Sequence, residues 1–212
     1  MVNNMIITKI EKQKKDKNRS SVFLDDKFGF GIDDFDLHIL KLKVGMEISE
    51  IRLKEIKDTV LFSSAKEYAL KLVSRFSYTK KTMCEKLFMR GYDDEITTKT
   101  IEFLEHYKYI DDFEYSKKFI SDALNLKHYG VSKIKYELSQ KGIDSSVIES
   151  ALSEFDLFQL EKECILPIAR KKLSGNFEYK NIQKTKRYLI SKGFSYELID
   201  SVINSLINEV GE

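Results

Sequence analysis

The chain has 212 residues, with 36 Lys and Arg against 34 Asp and Glu, 42% apolar residues and 33% charged ones. The apolar share supplies a core, while runs of only a few apolar residues exclude a membrane-spanning helix, and one Pro with nine Gly excludes collagen-like or Pro-rich disorder. The polar start lacks a signal-peptide apolar stretch, and Cys84 and Cys164 lack metal or redox spacing, so a cytoplasmic monomer that needs no membrane is expected.

Residues 1–60 read as a small β-containing N-terminal module. Met5–Lys12 and Ser20–Leu24 are β-rich, Lys27–Ile32 alternates Phe28, Phe30 and Ile32, and Asp25-Asp26 marks a hairpin turn between them. Lys43–Ile48 is a further short β-like run. Ser49 is placed to N-cap a helix running to about Phe62. The run Lys9–Arg19, with six basic and two acidic side chains, is expected on a solvated strand edge or turn. Gly29 and Gly31 flank Phe30 and predict a bulge or a close backbone approach.

The rest of the chain repeats. Residues 84–104, 135–155 and 186–206 align without gaps at a spacing of 51. The matched columns include Leu87/Leu138/Leu189, Arg90/Lys141/Lys192, Gly91/Gly142/Gly193, Tyr92/Ile143/Phe194 and Ile96/Val147/Leu198. Each column has a physical role. A cation in the last helical turn meets the negative end of the helix dipole. The following Gly suits the left-handed residue past a helix end, and Asp93, Asp144 and Ser195 suit the N-cap of the next helix. Ile143 with Ile148, and Phe194 with Ile199, have the spacing of a hydrophobic staple. Another helix precedes each pair, with Ala65, Tyr68, Ala69 and Leu72 on one face in the first unit and Tyr115, Phe119, Ile120 and Leu124 in the second. In the third, Leu160, Cys164 and Ile168 are interrupted by Pro167, which predicts a kink or the true helix start. The fold class is therefore mainly α: three tandem three-helix units, 61–111, 112–155 and 156–212, forming an elongated, curved array.

Charge follows the same period. Residues 66–90 hold 7 basic and 2 acidic side chains, 117–141 hold 6 and 2, and 165–192 hold 8 and 1. The segments after each, 91–113, 142–164 and 193–212, hold 2 and 7, 1 and 6, and 0 and 4. The first two helices of each unit thus read as basic and the third as acidic. One reading is charge balance within each unit. The other is a basic face for a polyanion, built from Arg75, Lys80, Lys81 and Arg90, then Lys133, Lys135 and Lys141, then Arg170, Lys171, Lys172, Lys184, Lys186 and Arg187. It predicts weak, salt-sensitive, sequence-independent DNA binding led by 165–192. Tyr129, Tyr179 and Tyr188 lie among these cations, placed either to stack on bases or to pack on their own unit.

No enzyme is expected. The chain has no phosphate-binding loop, no dinucleotide fingerprint and no His-Glu-x-x-His pair, and His38, His106 and His128 lack ligand spacing, so neither metal nor cofactor is predicted. Asp111-Asp112 reads as a helix cap between units, not a catalytic pair.

These residues together resemble the RecX family of bacterial recombinase regulators. The resemblance rests on Ala65, Tyr68, Ala69, Leu70 and Leu72, on Lys86-Leu87 with Arg90-Gly91-Tyr92, on Tyr109-Ile110-Asp111-Asp112 with Tyr115, and on Gly130, Ile134, Glu137-Leu138 and Lys141-Gly142-Ile143. Tyr78 and Ala123 depart from the pattern, standing where the family often carries Arg. The resemblance implies binding to RecA protein and along the RecA–DNA filament, with inhibition of strand exchange and of coprotease activity, and so a part in recombination, DNA repair and the SOS response. The alternative is a helix-turn-helix-like repeat protein that binds DNA directly. Against it, the third helix of each unit, the recognition helix in that scheme, is acidic.

Overall fold

The computed structural model describes residues 4–14 and 16–211; Lys15 and Glu212, counted in the charge runs above, lie outside the described residues. Four antiparallel strands open the chain, β1 (Asn4–Lys12), β2 (Arg19–Leu24), β3 (Lys27–Asp33) and β4 (Glu47–Ser49), in the order β3-β2-β1-β4. The β2–β3 hairpin turns through Asp25 and Asp26, at φ 47 and 64, as the twist of a two-residue hairpin requires. Two hydrogen bonds hold these strained aspartates: the Ile6 N–H donates to Asp25 Oδ1, and the Asp26 N–H donates to Thr8 Oγ1, both at 2.9 Å. The β-like run expected over Lys43–Ile48 becomes a turn with Gly45 at φ 85, and the strand proper begins at Glu47. A short helix, α1 (Asp34–Ile39), follows β3.

Ser49 caps α2 (Glu50–Ile56), its Oγ accepting from the Arg52 N–H at 3.2 Å. The predicted stop near Phe62 is absent. The chain passes through a π-helical stretch, Lys57–Leu61, straight into α3 (Phe62–Val73). Residues 50–73 contain neither Gly nor Pro, so nothing in the covalent chain ends the helix. Then come α4 (Lys80–Met89) and α5 (Asp94–His106). One apolar core serves the sheet and these helices, with Ile7, Val22, Phe30 and Ile32 from the strands beside Ala65, Ala69, Leu87, Ile96 and Leu104 from α3–α5. Residues 1–111 form one unit on this basis.

Residues 112–212 form the other unit, with six helices among the described residues: α6 (Asp112–Asn125), α7 (Val131–Gln140), α8 (Ser145–Leu152), α9 (Leu157–Leu173), α10 (Tyr179–Ser191) and α11 (Tyr196–Gly211). Two cores lie within it. Ile120, Leu124, Ile134, Leu138, Ile143 and Ile148 fill the first, and Ile165, Leu173, Leu189, Phe194, Ile199 and Val202 the second. Both staple pairs, Ile143 with Ile148 and Phe194 with Ile199, are buried there. Pro167 neither starts nor ends a helix. Asp156 caps α9, its Oδ1 accepting from the Gln159 N–H at 3.2 Å, and the helix runs through Pro167 to Leu173.

The repeated turn takes the predicted form three times. Gly91, Gly142 and Gly193 have φ +89, +80 and +93. In each, the Gly N–H reaches the carbonyl three residues back (Phe88, Ser139, Ile190) and the next N–H reaches five back (Leu87, Leu138, Leu189). This is the pairing that satisfies the last carbonyls of a helix. Asp93, Asp144 and Ser195 cap α5, α8 and α11, accepting from the N–H groups of Ile96, Ser146 and Leu198.

Within residues 112–212, this turn also receives a helix start. The Gly130 N–H donates to the Lys192 carbonyl at 2.9 Å and the Ser132 N–H to the Gly193 carbonyl at 3.2 Å. Gly130 is the N-cap of α7 and has no side chain to cap with. Glu161 of α9 supplies the missing acceptor, taking the Val131 N–H at 2.7 Å. Burial pushes the Glu161 carboxyl up, against the lowering pull of that N–H. Glu161→Ala should lose about 1 kcal/mol in urea unfolding, while Glu161→Gln, which keeps an acceptor oxygen, should lose less. A raised folded value means the native state holds the proton more firmly than the unfolded chain. The contribution of Glu161 to stability therefore falls as pH rises through the carboxylate range, and Glu161→Gln should remove that slope.

Candidate polyanion interface

The predicted cations divide by what they touch. Lys80 on α4 pairs with Glu105 on α5 at 3.1 Å, Lys135 on α7 with Glu149 on α8 at 2.6 Å, Lys186 on α10 with Asp200 on α11 at 2.7 Å, and Arg170 on α9 with Glu209 on α11 at 2.7 Å. The Lys135–Glu149 and Lys186–Asp200 pairs are the same pair 51 residues apart. Much of the alternation of charge is thus balance inside each unit. Such surface pairs contribute at most about 1 kcal/mol each. The first helix of the second unit also departs from the basic reading, because Asp112 and Glu114 occupy the first turn of α6 and its lysines come only at 117 and 118.

Arg90 is committed to the N-terminal module. Its guanidinium lies 3.0 Å from Asp16 and 3.7 Å from Asp33 and stacks on the Tyr68 ring at 4.3 Å. Beside it, Arg19 is 0% exposed, which overturns the expectation of a solvated edge for that end of the Lys9–Arg19 run. It donates to Asp33 Oδ2 at 2.7 Å, to the Tyr92 hydroxyl at 3.2 Å and to the Gly31 carbonyl at 3.0 Å. The Gly31 N–H in turn donates to the Gly91 carbonyl at 2.9 Å, and a Cβ at Gly31 would meet the Arg90 and Gly91 carbonyls at 3.1 Å. Gly31 is the close approach that the sequence offered as one of two readings. The Gly91 turn is therefore held by β3, as the Gly193 turn is held by the start of α7.

Arg75, Lys81 and Arg187 are exposed. Lys141 lies 5.8 Å from the Tyr115 ring and 5.9 Å from the Phe119 ring. Lys133 lies 4.8 Å from the Tyr129 ring, and the other three predicted cations gather in one place. A groove of about 760 Å³ in the 112–212 unit is lined by Lys127 and His128 from the α6–α7 loop, Lys171 and Lys172 from α9, and Lys184, Tyr188 and Lys192 from α10 and its cap. Pro167, Ile168, Asn181 and Thr185 complete the lining, which contains no carboxylate. Three of these cations, Lys171, Lys172 and Lys184, belong to the predicted face. Lys127, His128 and Lys192 do not. Lys192 reads in sequence as a helix-end cation, and nothing local announces that the loop carrying Lys127 and His128 meets α9 and α10.

Cys164 lies under the groove. Its thiol is 3.4 Å from the Leu124 carbonyl and 3.5 Å from His128 Nδ1. Burial first, then the nearby Glu161 charge, pushes it up to about 11, so it stays a protonated packing thiol. Among the described residues no group of three His, Cys, Asp or Glu is placed to hold a metal ion, and no helix is long and apolar enough to cross a membrane.

Three helix–turn–helix units that follow a small antiparallel sheet in the chain, with a lysine-lined groove whose described lining holds no carboxylate, define a helical-repeat protein with a cationic site. The Regulatory protein RecX N-terminal domain model matches residues 5–49, and the models of the first, second and third RecX three-helix domains match 65–104, 111–152 and 161–203. The chain is 38% identical over 207 residues to a protein of Clostridium botulinum named Regulatory protein RecX, covering 95% of this chain and 96% of that one. A Clostridioides difficile protein of the same name is 35% identical over 206 residues, with 96% of each chain covered. A crystal structure titled regulatory protein RecX superposes with TM-score 0.65 at 27% identity, covering 94% of this chain and 99% of that one. The crystal structure of RecX from Lactobacillus salivarius gives 0.64 at 29%, covering 68% and 96%. This chain belongs to the RecX family.

Proposed function

We propose that the protein regulates RecA recombinase, mainly as an inhibitor, by lodging along the RecA–DNA filament in the cytoplasm and so modulating recombination, DNA repair and coprotease activity. Membership of the RecX family supports this choice of target. The observation that carries the reading is the lysine groove of residues 112–212, whose lining holds no acidic side chain to neutralise it. A concentrated patch of one sign attracts polyanions such as a nucleoprotein filament. Direct DNA reading in helix-turn-helix fashion is disfavoured by the third helices. Both α5, with Asp94, Glu95, Glu102 and Glu105, and α11, with Glu197, Asp200 and Glu209, are acidic and would repel a phosphate-lined groove.

The test is a titration of the protein into RecA on single-stranded DNA, reading strand exchange beside binding to bare DNA at two salt concentrations. Strand exchange should fall at protein concentrations where bare-DNA occupancy is still low. Inhibition that tracks bare-DNA occupancy at both salts would move the assignment to direct DNA binding.

A further inference from the structure

Residues 1–111 carry an exposed surface of their own on α1. This helix turns Leu37 and Leu40 onto the core of the unit. Phe35 and Ile39, one helical turn apart on the opposite side, are 75% and 62% exposed. Beside the helix lies a hollow of about 610 Å³, to which Leu37 and Leu42 give apolar wall and Lys12, His38, Lys41 and Lys43 give polar groups. Asp34, the one carboxylate of its described lining, is already engaged: Ser20 Oγ donates to its Oδ1 at 2.7 Å, and Lys12 pairs with its Oδ2. Among the described residues no carboxylate lies within ion-pair distance of Lys41 or Lys43. Lys41 ends α1 in the same turn that ends the repeated helices. Its N–H reaches the His38 carbonyl three residues back at 3.0 Å, and the Leu42 N–H reaches the Leu37 carbonyl five back at 3.2 Å. The repeats place glycine there; here a lysine is held at φ +52, where a Cβ is strained.

Apolar and cationic groups side by side select the occupant. Phe35 and Ile39 gain by leaving water against another apolar surface. Lys41 and Lys43, without carboxylates of their own, gain by meeting carboxylates from outside. A nucleic-acid strand would satisfy the lysines and leave both apolar side chains in water. A bilayer is held in proportion to the apolar area buried in it, and two side chains on a six-residue helix bury little. We propose that Phe35 and Ile39, with Lys41 and Lys43, dock an acidic segment of a partner protein that carries apolar side chains among its carboxylates. The apolar side chains of the partner lie on Phe35 and Ile39, and its carboxylates meet Lys41 and Lys43. This goes beyond the RecA reading and uses no residue of the lysine groove, which belongs to residues 112–212.

The test uses the full chain and no RecA, so its failure leaves the RecA assignment standing. The probe is a short fluorescein-labelled peptide of Glu and Asp interrupted by Phe and Leu, with binding read by anisotropy. One control peptide carries Ser in place of Phe and Leu, and another carries Gln and Asn in place of Glu and Asp. Each control should bind about tenfold more weakly, because the surface needs both chemistries at once. The Phe35→Ser/Ile39→Ser double variant should weaken the probe about tenfold and keep the urea midpoint of the parent, both side chains being exposed. Lys43→Gln should weaken it severalfold. Lys41→Gly should do the same without lowering the urea midpoint, since glycine relieves the left-handed backbone; a lysine kept only for the fold would show the reverse. The Lys127→Gln/Lys192→Gln double variant, altered in the lysine groove, and Lys99→Gln, whose lysine pairs with Asp58 and Glu95, should bind the probe as the parent does. A probe lost from the groove variant and kept by Phe35→Ser/Ile39→Ser would overturn the proposal, as would a control peptide that binds like the probe. Phosphatidylglycerol vesicles or oligo-dT that displace the probe at lower charge concentration than the unlabelled peptide would give the surface to a membrane or to nucleic acid instead. Self-association of the parent in sedimentation velocity, abolished by Phe35→Ser/Ile39→Ser, would give it to a second copy of the chain.

Discussion

Gly193→Ala should be among the most destabilising single substitutions in residues 112–212, costing about 3 kcal/mol in urea unfolding followed by helical circular dichroism. Two causes add. At φ +93 a Cβ is strained whatever the surrounding space, which contributes about 1 kcal/mol. That Cβ would also stand 2.5 Å from Lys133 N and Cβ at the start of α7, and relieving such an overlap costs about 1–3 kcal/mol. Gly175 separates the two causes. Its φ is +76 with nothing within 4 Å of a Cβ, so Gly175→Ala should show the strain alone. Gly130→Ala isolates the other half: its φ of −79 suits alanine, but its Cβ would fall under 3.0 Å from the backbone of Gly193 and Phe194. If Gly193→Ala costs no more than Gly175→Ala, the close seating of α7 on the Gly193 turn is wrong.

Arg19→Met should cost about 2–3 kcal/mol, below the range for stranding a fully buried charge, because the Asp33 side chain is 30% exposed and keeps other partners. The guanidinium joins β2 to Asp33 and Gly31 of β3 and to Tyr92 beyond α4, and it stacks 4.8 Å from the Tyr92 ring. Its loss leaves Asp33 with Ser64 Oγ at 2.6 Å and the more distant Arg90 at 3.7 Å. Arg19→Lys should recover little, because one ammonium cannot serve a carboxylate, a hydroxyl and a carbonyl on separate elements. Tyr92→Phe removes one hydrogen bond and should lose about 1 kcal/mol. An Arg19→Lys protein within about 0.5 kcal/mol of the parent chain would contradict this account, since a solvated cation tolerates that exchange.

What the sequence made legible was local. Each Leu-x-x-cation-Gly-apolar stretch encodes a helix end, a left-handed residue and a return contact inside six positions, so three copies of it gave the three units and their caps. The β2–β3 hairpin was legible for the same reason. The helix expected to end near Phe62 instead continues through Lys57–Leu61 into α3, because no Gly or Pro stands there to end it. Arg19 was missed because its burial depends on Asp33, 14 residues on, and Tyr92, 73 residues on. The cation face was half legible. Charge counts found the lysines, but only geometry separates Lys135 and Lys186, each paired with a carboxylate on the next helix, from Lys172 and Lys192, held on tyrosine rings. Lys127 joins them through a loop packed against helices some 40 residues away, and no local pattern encodes that.

The central claim, that a cationic groove brings this protein onto a RecA filament, is tested most directly by RecA ATP hydrolysis on saturating single-stranded DNA. The full chain, the Lys127→Gln/Lys192→Gln double variant and Lys99→Gln are each titrated at fixed salt. The account predicts that the full chain and Lys99→Gln lower hydrolysis at the same concentration, and that the double variant, folded by circular dichroism, needs several times more. Hydrolysis unchanged by the full chain at concentrations that saturate bare DNA, or lowered equally by all three proteins, would contradict it.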